Sequence, residues 1–138
     1  MQKSFVKEFK LYCKKKNLDV NSHQIKLIKI LEGYYKLNYK SFISKILSKK
    51  NYKKGFYLYG DVGVGKTMIL DFFFNLVEGK KLKLHFNEFM LSFHDFVHQS
   101  KDKNNENTIS KFVKKLKSKA KLIYFDEFQV TNIVDAMI

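Results

Sequence analysis

Apolar positions in the first 54 residues recur with the spacing of α-helices. After Asn21, residues separated by three or four positions form a single apolar stripe, namely Ile25, Ile28, Leu31 and Tyr35. Asn21 can cap this helix, and Gln24 can complete a capping-box pair with it. The same spacing predicts a second helix over residues 39–48. We therefore expect residues 1–54 to form an N-terminal helical segment.

From residue 55 the pattern changes to a repeated order of strand, loop and helix. Short apolar runs at residues 56–59, 82–86 and 122–125 predict three buried strands. Helices are predicted from the P-loop to about Gly79, over residues 87–99, and after Thr108 as N-cap. Their inward faces are predicted to be Ile69, Phe72, Phe73 and Leu76, then Phe89, Phe93, Phe96 and Val97, then Ile109, Phe112, Val113 and Leu116. This alternation predicts an α/β fold, with a parallel sheet and helical crossovers over residues 55–138.

The loop after the first predicted strand matches the phosphate-binding pattern G-x-x-x-x-G-K-[ST]. Glycines there allow backbone N–H groups to turn toward a phosphate, and the following helix N-terminus attracts the same anion. The lysine adds a charge for the β and γ phosphates, and the Thr67 hydroxyl can bind Mg²⁺. We predict that ATP is bound by Gly60, Asp61, Val62, Gly63, Val64, Gly65, Lys66, Thr67 and Met68, with Lys66 also catalytic.

The third predicted strand ends in two acids, Asp126 and Glu127. An acid at the carboxyl end of a buried parallel strand lies at the edge where α/β folds bind ligands. Asp126 is therefore predicted to hold Mg²⁺ together with Thr67. Glu127 can act as the general base on the attacking water, which favours hydrolysis over transfer to a hydroxyl. No Asn-Lys-x-Asp guanine motif occurs, so a GTPase is disfavoured.

Composition adds a basic charge whose origin stays open. The 138 residues carry a formal net charge of +14, and every basic residue is Lys. An A/T-rich coding sequence explains this bias, while a surface for nucleic acid or an acidic partner is the alternative. Without Arg the chain cannot supply an arginine finger. One cysteine, no long apolar run and no signal-like N-terminus favour the cytoplasm.

With these motifs, the chain resembles the ZapE and AFG-one-like ATPases, a family of the AAA+ class. The stretches that carry the likeness are KGFYLYGDVGVGKTMILDFFF, LHFNEFMLSFHDFVH, LIYFDEFQVTNIVDAMI and, more weakly, NLDVNSHQIKLIKIL. Val64, Asn87 and Asn132 stand where members often have Arg, His and Asp. Members also continue beyond the Asp-Ala-Met of residues 135–137, so the resemblance implies an N-terminal part of an ATPase, truncated within its sheet.

The resemblance implies ATP hydrolysis coupled to mechanical work on a protein partner, at the division machinery in bacteria or on membrane proteins in mitochondria. It also implies a sheet of order 5-1-4-3-2, in which a fourth strand lies between the first and third. That strand would follow residue 138, so we expect a slot in the sheet or completion by another chain. An arginine finger would come from outside this chain, which makes an oligomer plausible.

Two other functions and several weaker candidates stay open. The chain can be a module that binds Mg-ATP without turnover, or an ATPase that binds nucleic acid through its lysine-rich stretch at residues 111–121. His94 and His98 have the i, i+4 spacing of a zinc clamp but no evident third ligand, so a solvated or packing role is favoured. His85 is expected to be structural and Glu88 to stabilise a helix start. Gln24 can approach the adenine, or simply cap its helix.

Overall fold

The computed structural model describes residues 4–39, 55–100, 105–130 and 133–136. Within them the chain divides into two compact units, Met1–Val77 and Glu78–Ile138. The predicted helix over residues 39–48 lies outside the described residues except at its first position. The predicted domain boundary after residue 54 stays a prediction.

The first unit contains three helices, α1 (Phe5–Lys15), α2 (Ser22–Tyr39) and α3 (Lys66–Leu76). The capping box that the sequence predicts at the start of α2 is present. The Gln24 N–H donates to Asn21 Oδ1 at 2.9 Å, and the Asn21 N–H donates to Gln24 Oε1 at 3.3 Å. Reciprocal bonds of this kind satisfy backbone donors that a helix start would otherwise leave unpaired.

Helix α1 lies in the segment that we expected to be helical, but no separate helix was predicted there, because lysines dilute its apolar positions. Its inward residues Phe5, Phe9 and Cys13 are nevertheless spaced by four and are buried. Phe5 packs against Phe73 of α3, and the Phe9 and Phe72 rings meet edge-on with centroids 5.0 Å apart. The core of this unit is thus formed by aromatic contacts between helices, and it fixes α3, the helix that begins at the phosphate-binding motif.

The segment before that motif differs from the prediction. Residues 55–60 are not a strand in the structure, and the sheet of the described residues consists of the strands at residues 81–85 and 122–126. Tyr57 and Tyr59 are accordingly exposed, at 67% and 81%. Phe56 is 40% exposed and rests on Tyr34 of α2, with ring centroids 4.9 Å apart. The apolar run at residues 56–59 predicted a buried strand, but composition alone does not make a strand. A strand also needs a neighbouring strand with which to exchange hydrogen bonds.

The second unit contains β1 (Lys81–His85), α4 (Phe86–Gln99), α5 (Asn105–Lys119), β2 (Leu122–Asp126) and the short α6 (Ile133–Ala136). The two strands are parallel neighbours, with Lys83 opposite Tyr124 and His85 opposite Asp126. Their adjacency agrees with the strand order that the resemblance implies. The described part of the chain thus has a two-stranded parallel sheet with helical crossovers, rather than a full sheet.

Helix α5 begins earlier than predicted, and its inward face differs for that reason. Thr108, predicted as the N-cap, lies within the helix, is 2% exposed, and its hydroxyl is 3.2 Å from Ser100 Oγ. The buried face follows Thr108 and Phe112. Ile109 and Val113, predicted to face inward, are 42% and 37% exposed. The buried threonine explains the error, because its hydroxyl is satisfied by Ser100 and does not need a helix end.

Helix α4 packs on α5 through an aromatic cluster, as its spacing predicted. Phe86, Met90 and Phe93 are buried beside Phe112, with Phe89, Phe96, Val97, Leu116 and Phe125 partly buried against them. The Phe89 and Phe125 rings meet edge-on at 4.8 Å, which attaches this cluster to β2. The cluster therefore fixes the strand that ends in Asp126. In the described residues, no helix is both long and apolar enough to cross a membrane.

Candidate functional site

The phosphate-binding motif forms a loop whose glycines adopt conformations that other residues avoid. Gly60, Gly63 and Gly65 have φ values of 146°, 84° and 84°. Gly65 is also the N-cap of α3, in a left-handed conformation and without a side-chain cap. Because only glycine reaches such torsions cheaply, these positions explain the motif's glycines physically. The N–H groups at the start of α3 have no side-chain cap, which leaves them suited to an anion.

Lys66 folds back over the loop from the first position of α3. Its Nζ donates to the carbonyl oxygens of Gly60, at 2.8 Å, and of Asp61, at 2.6 Å. The ammonium group is therefore held at the loop by backbone acceptors, where phosphate oxygens could replace those carbonyls. Thr67 follows on the first turn of α3 and is exposed.

The loop between these glycines is open to solvent. Val62 is 99% exposed and Val64 is 49% exposed, and Asp61 is exposed as well. The loop is accessible, contains glycines at positive φ, and leads into a helix N-terminus that carries a lysine. Such an arrangement can bind the negative charge of a polyphosphate. The residues present therefore fit the nucleotide that the motif implies. Met68, also predicted to contact it, lies half-buried on the first turn of α3.

Asp126 ends β2 in the second unit, and both of its carboxylate oxygens have partners there. Lys83 Nζ lies 3.2 Å from Oδ2, and the Tyr124 hydroxyl donates to Oδ1 at 3.3 Å. The Lys83 ammonium also lies over the Tyr124 ring, 4.9 Å from its centroid. The parallel register creates this group, because Lys83 sits opposite Tyr124 and two residues before His85, which is opposite Asp126. A cation at this carboxylate would compete with Lys83.

Glu127 directly follows the strand in a left-handed conformation, with φ of 51°. The Gln129 N–H donates to the Glu127 carbonyl at 2.7 Å, which closes a tight turn. A glutamate at positive φ costs roughly 1–3 kcal/mol, and such strain concentrates at functional sites. The turn leaves the Glu127 side chain exposed. That is the exposure a base acting on a water molecule needs.

Two partners of Asp126 escaped the sequence reasoning. The sequence signal that could have identified Lys83 and Tyr124 is the alternation of side chains along a strand, which puts every second residue on the same face of the sheet. Using that signal requires the register of the two strands, which no motif specifies.

The histidines and Glu88 contribute little to the site. His94 meets Phe93 edge-on at 5.9 Å, and His85 and His98 are exposed. Glu88 is exposed in the first turn of α4, where an acid stabilises the helix start. Among the described residues, no group of three or more His, Cys, Asp or Glu could hold a metal ion.

The loop at residues 60–67 is typical of the P-loop NTPase class of folds, and comparison with known proteins gives the family within that class. The family model described as AFG1-like ATPase matches residues 15–138, so the chain belongs to that family. The resemblance to ZapE and AFG-one-like ATPases is thereby confirmed.

Among individual proteins, the chain is similar to Lactation elevated protein 1 homolog B of Danio rerio. The two are 41% identical over 101 residues, which is 66% of this chain and 20% of the relative. It is also similar to Cell division protein ZapE of Escherichia coli K12. That identity is 35% over 86 residues, which is 62% of this chain and 22% of the relative. The chain thus spans about a fifth of the curated relatives it matches. No solved structure matches it.

Proposed function

We propose that this chain carries the nucleotide-binding part of an ATPase that hydrolyses ATP with Mg²⁺. The observation that carries the proposal is the loop at residues 60–67, where three glycines at positive φ precede a helix N-terminus and its lysine. Membership of an ATPase family supports it. In this role, the loop and Lys66 hold the phosphates, with Asp61, Val62, Val64 and Met68 lining the nucleotide.

The remaining roles belong to Thr67, Asp126 and Glu127. Thr67 and Asp126 would hold Mg²⁺, which when bound neutralises charge on the phosphate oxygens. Glu127 would accept a proton from the water that attacks the γ-phosphorus, while Lys66 stabilises the charge on the transferred group. The exposure of Glu127 supports its role as a base that a water molecule can reach. Asp126 already pairs with the Lys83 ammonium, which supports its role as a ligand for a cation.

Two substitutions test the proposal at separate steps. Lys66→Ala should abolish most Mg-ATP binding, measured by calorimetric titration, because it removes the only side-chain cation of the motif. Glu127→Gln should keep binding but lower turnover at least about 100-fold, the lower end of a general base's contribution. Equal turnover in Glu127→Gln and the unchanged protein would remove Glu127 as the base. Binding without turnover in the unchanged protein would favour the alternative of a binding module.

The wider role is proposed from the relatives. One relative is named a cell division protein, and we propose that hydrolysis here also drives remodelling of a protein partner in the cytoplasm. Because the chain contains no Arg, any arginine finger must come from another segment or subunit, which makes an oligomer the working hypothesis. The Glu127→Gln protein should then assemble with ATP, measured by light scattering, whereas Lys66→Ala should not. Identical masses with and without ATP would contradict the oligomer.

The charge of +14 keeps nucleic acid as a second candidate partner. Helix α5 exposes Lys111, Lys114, Lys117 and Lys119, and Lys121 follows it. Binding through such lysines must weaken steeply with salt, because it releases counterions from the phosphates. Fluorescence anisotropy with labelled duplex and single-stranded DNA at increasing salt is the test. Absent or salt-independent binding would remove this candidate.

A further inference from the structure

We propose that Gln24 is a positioning residue of the phosphate-binding loop, and that it makes helix α2 part of the nucleotide site. The inference rests on the proposed function and deepens it. Its starting point is a close approach within the first unit. A Cβ atom built on Gly65 would lie 3.3 Å from Gln24 Nε2. The Gln24 amide therefore occupies the space beside the residue that caps α3 and precedes Lys66.

The capping box fixes the orientation of this amide. The Asn21 N–H needs an acceptor, so the Gln24 oxygen must face Asn21 and the NH₂ group must face the other way. The Gln24 N–H in turn donates to Asn21 Oδ1. Gln24 is 9% exposed. The capping bond uses the Gln24 oxygen alone, and the NH₂ group lies on the side of Gly65.

Contact at Gly65 affects the part of the loop that matters for phosphate. Gly65 has φ of 84°, and its carbonyl accepts the first helical hydrogen bond of α3, from the Ile69 N–H at 3.0 Å. Movement of Gly65 would tilt the peptide groups that follow it, including the N–H of Lys66. Donors aimed in advance at an anion bind it better than donors that must be reoriented. Gln24 limits that movement on one side.

Helix α2 also supports the loop on its other side. Tyr34, ten residues after Gln24, packs edge-on against Phe56, four residues before the loop. One helix thus contacts the chain before the motif, through Tyr34, and near the end of the motif, through Gln24. A single rigid element that approaches the loop at both places restricts it more than either contact alone.

The test compares Gln24→Ala with Asn21→Ala in the full chain. The probes are Mg-ATP and magnesium tripolyphosphate, measured by calorimetric titration, with thermal unfolding of each variant. Both variants weaken the capping box, so both should lower the melting temperature. Gln24→Ala alone should weaken both probes by about ten-fold, because a misplaced binding group is costly even at small displacements. Asn21→Ala should stay within about two-fold of the unchanged protein, since it leaves the Gln24 side chain beside Gly65.

Gln24→Glu keeps the inference testable if Gln24→Ala does not fold. Glutamate can retain the capping bond to the Asn21 N–H, so the melting temperature should stay near that of the unchanged protein. It places a carboxylate beside Gly65 in place of an amide donor, so both probes should bind at least about ten-fold more weakly.

Three results would overturn the positioning role. They are unchanged affinity in folded Gln24→Ala or Gln24→Glu, equal affinity losses in Gln24→Ala and Asn21→Ala, and a loss for ATP without a loss for tripolyphosphate. The last would indicate a contact with the nucleoside instead. Failure of the proposed function looks different, because the unchanged, folded protein would then bind neither probe and Lys66→Ala would change nothing.

Discussion

The phosphate loop of the first unit and the acidic strand end of the second hold their charged groups by different means. Lys66 is held by two carbonyls of its own loop, five and six residues before it in the sequence. Asp126 is held by Lys83 from the neighbouring strand and by Tyr124 two residues earlier. The first arrangement depends on local backbone torsions, whereas the second depends on how two strands align. Substitutions at the glycines of the loop should therefore disturb the position of Lys66 more than substitutions in the strands disturb the position of Asp126.

The largest predicted effect therefore falls on the loop backbone. Gly65→Ala forces a side chain onto a residue at φ 84°, with Gln24 Nε2 and Met68 Cε each 3.3 Å from the new atom. The two side-chain ends can give way by a few tenths of an ångström, but the strain at this φ remains, so we expect the loop to shift. We expect Mg-ATP affinity to fall at least about 100-fold, the loss that a displacement near 1 Å can cause. Calorimetric titration of the purified variant measures it.

Gly79→Ala is the matched control for that substitution. Gly79 also has positive φ, at 100°, but a Cβ there would meet nothing within 4 Å. The variant should lose about 1–3 kcal/mol of unfolding free energy through backbone strain. Its nucleotide affinity should not change, because Gly79 lies outside the motif. If both alanine variants lost affinity equally, general destabilisation rather than loop geometry would account for Gly65→Ala.

This difference between the regions also explains what the sequence could and could not predict. Gly60, Gly63 and Gly65 were predictable because a continuous motif specifies torsions that residues next to each other must adopt. The helix stripes that include Phe72, Phe73 and Phe93 were predictable because their period is local.

The second region needed information that local patterns lack. Lys83 reaches Asp126 only through the strand register, which pairs residues about forty positions apart in the sequence. The same reason applies to residues 56–59, which read as a strand but have no strand beside them in the described chain. A strand is a property of two segments, so one segment's composition cannot establish it.

A second, smaller effect is predicted at Asp126. Asp126→Asn removes the charge that would attract Mg²⁺ in the proposed function, so magnesium should strengthen ATP binding less than it does in the unchanged protein. We expect a loss of about ten-fold in that magnesium effect, since a charged ligand is replaced by a neutral one. The measurement is ATP affinity with excess magnesium and with chelator. An unchanged magnesium effect would remove Asp126 from the metal site.

Lys83→Met sharpens the same comparison from the opposite side. The substitution keeps the apolar stem of Lys83 and removes the ammonium that lies 3.2 Å from Asp126. Magnesium would then meet no competing cation, and half-maximal ATP binding should need about two- to five-fold less magnesium, the size expected for a partly exposed ion pair. A higher magnesium requirement would mean that Lys83 orients the carboxylate rather than competing for it.

The smallest effect on stability is predicted at two residues, one in each region, that share the same backbone conformation. Asn17, just after α1, and Glu127, just after β2, each have φ of 51°. Asparagine tolerates this conformation better than glutamate, because its short side chain can satisfy nearby backbone groups. Glu127→Asn should therefore raise the unfolding free energy by about 0.5–1 kcal/mol, and Asn17→Glu should lower it by a similar amount. Urea unfolding measures both, and turnover should be lost only in Glu127→Asn. A destabilised Glu127→Asn protein would show that the Glu127 side chain makes stabilising contacts, so that its strained conformation would no longer point to a functional constraint.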